Sequence, residues 1–543
     1  MDHADLVFTG GAVHTVDPRH PRASAVAVRN GRIVAVDQGV TELTGPRTEV
    51  VDLRGGALIP GFQDAHVHPA FAGVALLGCD LSAAGSAEEA LSLIAAYAAA
   101  HPDAEWIIGG GWYMEWFPGG TPGKELLDGV VPDRPAYFTN RDVHGSWANS
   151  AALRLAGVDR HTPDPADGRI ERTADGDPQG TLHEGAALLV TRVTPQPTFQ
   201  ERLAGLLAGQ AHLHALGITA WQDAIIGDYL GNVDPYDVYL TAAREGTLTA
   251  RVVGALWWDR ERDGTQIDGL LERRANGTAG RFRATTVKIM QDGVAENFTA
   301  GMIDPYFDGC GCRTARSGLS YVDPGALREY AAELDAHGFQ LHFHAIGDRA
   351  VRESLDAVAA AVAANGRNGH RHHIAHLQVV HPDDVPRFAE LGVTANMQPL
   401  WATHEPQMDE LTIPFLGPER ASWQYPWADL RASGARLAAG SDWSVSSANP
   451  LEGIHVAVNR AEPGTTGPAF LPDQRLDLAT ALHAYTMGSA YVNHLDQETG
   501  SIEVGKLADL AVLDRDPFAG PAEEIAATRV LQTFVEGERV HGA

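Results

Sequence analysis

Cysteine is nearly absent from this sequence: Cys79, Cys310 and Cys312 are the only three among 543 residues. So odd and sparse a set cannot build a disulfide framework, and it suits a reducing compartment. Cys310 and Cys312 could serve as soft metal ligands, but ordinary loop thiols are the simpler reading. Positive charge is also short, with 41 Lys and Arg against 70 Asp and Glu, a net of −29. Such a surface repels phosphate backbones and anionic lipid heads, so neither nucleic acid nor a membrane is expected as a partner. No run of roughly 18 apolar residues occurs that would cross a bilayer. The opening MDHADLVFTGGAVHTV lacks the basic start and apolar core of an export signal. These absences predict a soluble, cytoplasmic protein that acts on a small molecule, with a homodimer as the candidate assembly.

What is present is organised in three parts. The length exceeds one ordinary domain, so a large domain with a smaller companion is the starting expectation. Near the N-terminus, LVFTGGAVHTVD, ASAVAVRNGRIVAVD and EVVDLRGGALIP are short Val/Ile-rich runs separated by Gly, Asn and Asp turns, the pattern of antiparallel strands. GSIEVGKLADLAVLDRDP and RVLQTFVEGERV repeat that texture near the C-terminus. The economical reading is one small β-sandwich domain built from residues 1–58 and 500–543. Between them, apolar strands alternate with Ala/Leu-rich helical stretches, the pattern of an α/β fold with a parallel sheet. The strand candidates are ALIPGFQDAHVH, GITAWQDA, ARVVGALWW, ATTVKIMQD, FQLHFHA, RHHIAHL, GVTANMQP and ARLAAGSD. They make the number that closes a (β/α)8 TIM barrel, here over residues 59–499. The spacing is even except between the first two, where residues 72–210 are too many for a loop and predict a structured insertion over one end of the barrel.

Barrel active sites gather at the C-terminal ends of the strands. His66 and His68 end the first candidate, Lys288 lies in the fourth, His344 and His376 end the fifth and sixth, and Asp442 ends the eighth. Residues two apart on a strand share a face, so His66 and His68 can point together into the barrel mouth and hold one ion. One strand-end histidine is more often hydrogen-bonded structure than a ligand; four of them with an aspartate form a candidate metal site. His342, His372 and His373 lie one layer deeper or just ahead of these and read as supporting residues. In the insertion, EWIIGGGWYMEWFPGG supplies Trp106, Trp112, Tyr113, Trp116 and Phe117, either as an apolar substrate wall or as the insertion's own core. Asp142, His144 and Glu184 from the insertion, with Gln222 and Asp223 at the end of the second strand, add polar candidates. Of the aromatics, Trp112 and Trp116 are the candidate substrate contacts.

The ordered motifs PGFQDAHVHP, VKIMQDG, HFHAIGDRA, HHIAHLQ and AAGSDWSV resemble the amidohydrolase superfamily, specifically its YtcJ-like metal-dependent hydrolases. The resemblance spans nearly the whole chain. GWYMEW and TNRDVHGSWANSAAL are most similar to N-substituted formamide deformylases. The resemblance implies that Lys288 takes up CO2 and that its carbamate bridges two divalent ions; a lysine buried beside Val287 and Ile289 would favour the neutral amine this requires. Pairing of Lys288 with Asp292 or Glu296 would instead leave a single ion. Zinc is the expected ion given imidazole-rich ligation, with Fe, Mn and Co as the other candidates. Asp442 is then the proton shuttle for a metal-activated water. The resemblance also points to His144 as a contact for the substrate or its oxyanion, and no further cofactor is implied. Hydrolysis of a non-peptide amide is the expected reaction. Deamination of a ring amidine, and a catalytically silent regulator on the same fold, are the two other classes.

Overall fold

The structure is a computed structural model that describes residues 3–465 and 467–542. Eight parallel strands form the central sheet: β1 (Phe62–Val67), β2 (Ile218–Ile226), β3 (Arg251–Trp257), β4 (Phe282–Met290), β5 (Gln340–Ala345), β6 (His373–His376), β7 (Thr394–Met397) and β8 (Arg436–Ala439). They pair in chain order from β1 to β8. The seam closes just past the strand ends, where the Asp442 N–H donates to the His66 carbonyl at 2.8 Å and the His68 N–H to the Trp443 carbonyl at 3.0 Å. Every residue of β1 and β2 is buried, as strands covered on both faces require. The result is the eight-stranded α/β barrel that the strand spacing predicts.

The first barrel run divides differently from its sequence reading. Ala57–Pro60 pairs with Leu510–Leu513 in another sheet, and only Phe62–Val67 enters the barrel. Gly61 sits at the join because its backbone passes against β2; a Cβ there would lie 2.4 Å from Thr219 Cγ2.

Strands from the two chain ends form two sheets. One carries Leu6–Thr9, Val26–Arg29, Arg32–Val36 and Glu49–Asp52; the other carries Ala12–His14, Arg22–Ala23, Ala57–Pro60, Leu510–Leu513, Val530–Val535 and Glu538–His541. Phe8, Val26 and Ile33 from the first share a buried cluster with Leu58, Val512 and Phe534 from the second. The pairing is mixed rather than purely antiparallel, since Leu6–Thr9 runs parallel to Glu49–Asp52 and Ala12–Val13 parallel to Ala57–Leu58. Arg251 of β3 ties this unit to the barrel through Asp509 (2.9 Å) and Glu536 (2.6 Å).

After β1 the chain makes helix α1 (Pro69–Leu76), leaves the barrel, and returns through helix α2 (Phe199–Ala215) into β2. The two helices cross at backbone contact. A Cβ at Gly73 would lie 1.8 Å from the Gly205 carbonyl oxygen, and one at Gly209 would lie 2.4 Å from that of Pro69. Thr198 opens α2 with a capping box: its hydroxyl accepts from the Glu201 N–H and the Glu201 carboxylate accepts from its own N–H. Between α1 and α2 lies a six-stranded sheet with its own core, which includes Ile94, Trp112, Phe117, Leu127, Phe138 and Trp147. Among the described residues no helix is long and apolar enough to cross a membrane.

Candidate active site

The strand ends deliver their side chains to one buried cavity of about 140 Å3. His66, His68, Lys288, His344, His376 and Asp442 all line it. Asp442 Oδ1 lies 3.2 Å from His66 Nε2 and 2.9 Å from His68 Nε2. Ligand atoms of His66, His376 and Asp442 fall within 4.8 Å of one another. The His344 and His376 ring centroids are 4.4 Å apart. Both ring nitrogens of His376 are buried without a hydrogen-bond partner. A buried polar atom left so costs about 1–3 kcal/mol. Nitrogen and carboxylate donors converging this closely fit a divalent cation, and coordination would satisfy them.

Electrostatics favours the same reading. Burial, with the charge of Lys288 adding to it, pushes His66 and His344 well below the ordinary histidine range, and burial with the neighbouring His344 does so for His376. Neutral imidazoles present lone pairs, the form a metal takes. Burial works against the Asp442 anion, but the hydrogen bond and charge of His68 outweigh it and hold this carboxyl below its usual range.

Hydrogen bonds beneath the site set which nitrogen faces the cavity. The Gln222 amide oxygen lies 2.7 Å from His342 Nδ1, and His342 Nε2 lies 2.9 Å from His66 Nδ1. An amide oxygen only accepts, so His342 donates through Nδ1 and accepts through Nε2. His66 therefore donates through Nδ1 and leaves Nε2 as a lone pair toward the cavity. His373 Nε2 approaches the same Gln222 oxygen at 3.1 Å. Asp292 does the equivalent for His344, accepting from its Nδ1 at 3.1 Å and from the backbone N–H groups of Gly301, Ile346 and Gly347. Asp64 accepts from the backbone N–H groups of His66 and Ser441, and so holds the ends of β1 and β8 together. Asp223 is engaged with the Tyr239 hydroxyl at 2.7 Å.

Lys288 is 3% exposed. Burial lowers it to about 7, against the pull of Asp442 and Asp223. Neither sequence-proposed partner reaches it: Asp292 serves His344, and Glu296 accepts from the Thr412 hydroxyl at 2.6 Å. Among the described residues it forms no ion pair.

The insertion contributes His144 from above. Its Nδ1 meets Glu184 Oε2 at 2.9 Å, and Glu184 Oε1 accepts from the Thr299 hydroxyl at 2.8 Å. Burial opposes charge on His144, but Glu184 outweighs it and raises this histidine to about 9. Glu184 is lowered to about 2, burial being outweighed by the same pair. The His144 ring sits 5.9 Å from that of His344. Asp142 lines the cavity and accepts the His144 backbone N–H at 2.9 Å.

Several expected substrate contacts fall elsewhere. Trp112 is fully buried in the insertion's core, packed edge-on to Phe117 and Trp147, with its indole N–H on the Phe138 carbonyl. Trp116 stacks on Tyr113 and packs on that same core. Gln222 lies under the ligands and Glu184 behind His144, so both orient another side chain rather than wall the cavity. The apolar wall comes instead from Phe71, Ile225, Tyr229, Trp257, Met290 and Trp401. Trp401 stacks face to face on His376 with centroids 5.2 Å apart. Most of these are single aromatics or aliphatics at or beyond strand ends, without the clustering that draws attention in sequence. Cys310 and Cys312 are exposed, away from the cavity lining.

The Amidohydrolase family profile matches residues 49–541. The putative amidohydrolase YtcJ of Bacillus subtilis is 29% identical over 543 residues, covering 98% of this chain and 99% of that protein. The N-substituted formamide deformylase of Arthrobacter pascens is 27% identical over 548 residues, covering 98% and 97%. The crystal structure of an uncharacterized metal-dependent hydrolase from Pyrococcus furiosus superposes with a TM-score of 0.71 at 25% identity, over 94% of this chain and 99% of that one. The match runs the length of the barrel, and the chain belongs to the amidohydrolase family, metal-dependent hydrolases that act on C–N bonds.

Proposed function

We propose that this protein hydrolyses an amide with a small acyl group and a larger apolar amine, with N-substituted formamides as the leading class. The observation that carries the hydrolytic reading is the buried, unpartnered His376 imidazole beside an Asp442 oxygen shared by His66 and His68. The substrate class is supported by the 27% identical deformylase and by the apolar wall around Trp257 and Phe71.

His66, His68, His344, His376 and Asp442 would hold the ion, which we take to be zinc. Lys288, near 7, has the free amine that adds to CO2 by forming an Nζ–C bond and releasing a proton. The resulting carbamate would add a further anionic donor to the site. When bound, a divalent ion acidifies water and polarises the amide carbonyl. Asp442, anionic in the cavity, accepts the proton of the attacking water and returns it to the leaving nitrogen as the C–N bond breaks. His144, held charged by Glu184, donates to the carbonyl oxygen as negative charge develops there. The products are one carboxylate and one amine.

The test is metal analysis with a release assay on N-benzyl formamide, acetamide and butyramide. Formate and benzylamine should appear fastest, with acetamide slower; a hydrophobic pocket discriminates by only about 1–3 kcal/mol per methylene. Faster butyryl release removes the deformylase reading and keeps amide hydrolysis. Ammonia from ring amidines, with no amide turnover, moves the reaction to deamination.

A further inference from the structure

Beside the candidate active-site cavity lies a second, smaller cavity of about 50 Å3, large enough for a small polar group. The two share Asp142, Val294, Trp401 and Val445 as walls, so the chamber opens next to His376, on which Trp401 stacks. Its charged lining is unbalanced. Asp142, Glu296 and Glu405 face a single guanidinium, Arg141. Arg141 is committed to Glu405 at 3.3 Å and to Gln407 at 3.0 Å, and it lies over the Tyr113 ring at 4.5 Å. Glu296 Oε1 takes the Thr412 hydroxyl and Asp142 Oδ1 takes the His144 N–H. Glu296 also meets its own backbone N–H, and burial raises its carboxyl above the usual range; among the described residues the second oxygen of Asp142 accepts nothing.

A separate observation points to an occupant. Tyr425 is 1% exposed and lines the chamber, yet its hydroxyl makes no hydrogen bond among the described residues. The phenol lies close enough to Glu296 and Glu405 for both to raise it, after burial itself. Buried phenols ordinarily find a partner. A group that completes this chamber must donate to two carboxylate oxygens and carry the positive charge that the lining lacks. A primary ammonium does both: it has three donors and no acceptor, and the phenol oxygen can take the third.

We propose that the side chamber binds an ammonium group on the acyl half of the substrate, so that the amide cleaved is a short-chain aminoacyl amide. This rests on the amide-hydrolase reading above and departs from its formamide class, putting a short aminoacyl group in place of formyl. The apolar wall of the main cavity receives the amine half, and the carbonyl lies between the two, at the strand-end histidines. In the reaction, water oxygen bonds to the carbonyl carbon, the C–N bond breaks, and the water proton goes to the leaving amine. The ammonium keeps its protons throughout.

Binding can be read without turnover. Glycine hydroxamate and β-alanine hydroxamate carry the ammonium; acetohydroxamate and propionohydroxamate are their uncharged counterparts. Titration calorimetry on the metal-loaded protein at pH 7 should show at least one ammonium-bearing hydroxamate binding tenfold or more tighter than its counterpart. Glu296→Gln, close to isosteric, should abolish that ratio while leaving acetohydroxamate affinity unchanged, and Tyr425→Phe should reduce it. Equal affinities in the wild type, or a ratio that survives Glu296→Gln, would overturn the proposal, as would failure of every hydroxamate to bind. A parallel release assay separates the two readings. Turnover of formyl and acetyl benzylamides without preference for the glycyl or β-alanyl ones removes the ammonium site and leaves amide hydrolysis standing.

Discussion

The floor of the cavity and the wall that the insertion builds over it both hold polar side chains in fixed orientations, by different means. On the floor, the candidate ligands sit at or beside strand ends, and for two of them a buried partner selects the nitrogen that faces the cavity: Gln222 through His342 for His66, Asp292 for His344. In the wall, His144 is held by a charge, the Glu184 carboxylate anchored in turn by Thr299. The floor thus holds neutral lone pairs and the wall holds a cation; in the proposed mechanism the first meet a metal ion and the second meets developing negative charge. Backbone regularity produces the first, and one buried ion pair produces the second.

The sharpest way to break this division of labour is to remove Asp442, the proposed proton shuttle. Asp442→Asn should lower turnover by roughly 10²–10⁴-fold while substrate binding is kept. A variant retaining more than about a tenth of the rate assigns the shuttle to another group. Next in size is the charged wall. His144→Gln should cost roughly 10²–10³-fold in kcat, the scale of one lost oxyanion donor. The sign of the pH effect follows from Glu184. His144 is raised to about 9, so its cationic form is present below that pH and lost as pH rises through it. Wild-type activity should therefore fall on the alkaline side near 9, and Glu184→Gln should move that limb toward the ordinary histidine range. An unmoved limb would show that His144 does not carry the proton in question.

Smaller effects probe the support under the floor. Gln222→Leu removes the acceptor that fixes His342 and, through it, His66. Metal affinity should weaken by roughly 10–100-fold, measured by chelator competition, with little change in KM once metal is saturating. The aromatics give the last contrast. Trp112→Ala should destabilise the fold by about 3–5 kcal/mol, seen as a lower Tm, and leave KM unchanged. Trp257→Ala should raise KM for N-benzyl amides with a smaller stability loss. The opposite assignment would return the substrate wall to the insertion.

The same contrast explains what could be read from the sequence. Strand-end placement made it legible that His66, His68, His344, His376 and Asp442 would meet at one cavity, because a parallel barrel fixes where its strands end and period-two alternation fixes their shared face. All eight strand runs lie in the barrel sheet, although Ala57–Pro60 turned out to extend a sheet of the terminal strands. Trp112 and Trp116 were misleading because a dense aromatic run serves an insertion's own core as well as a pocket, and only packing distinguishes the two. Gln222 and Asp292 carry no local signature for their work, which depends on neighbours far along the chain, such as His342 for Gln222. Phe71, Tyr229 and Trp401 are isolated in sequence and converge only through the barrel.

The account turns on whether His376 is a metal ligand. Metal content per chain, measured by elemental analysis on the purified wild type and on His376→Ala, tests it most directly. The account predicts one or two divalent ions in the wild type, and loss of bound metal together with amide turnover in the variant. A folded His376→Ala protein that keeps full metal content and full turnover would contradict it.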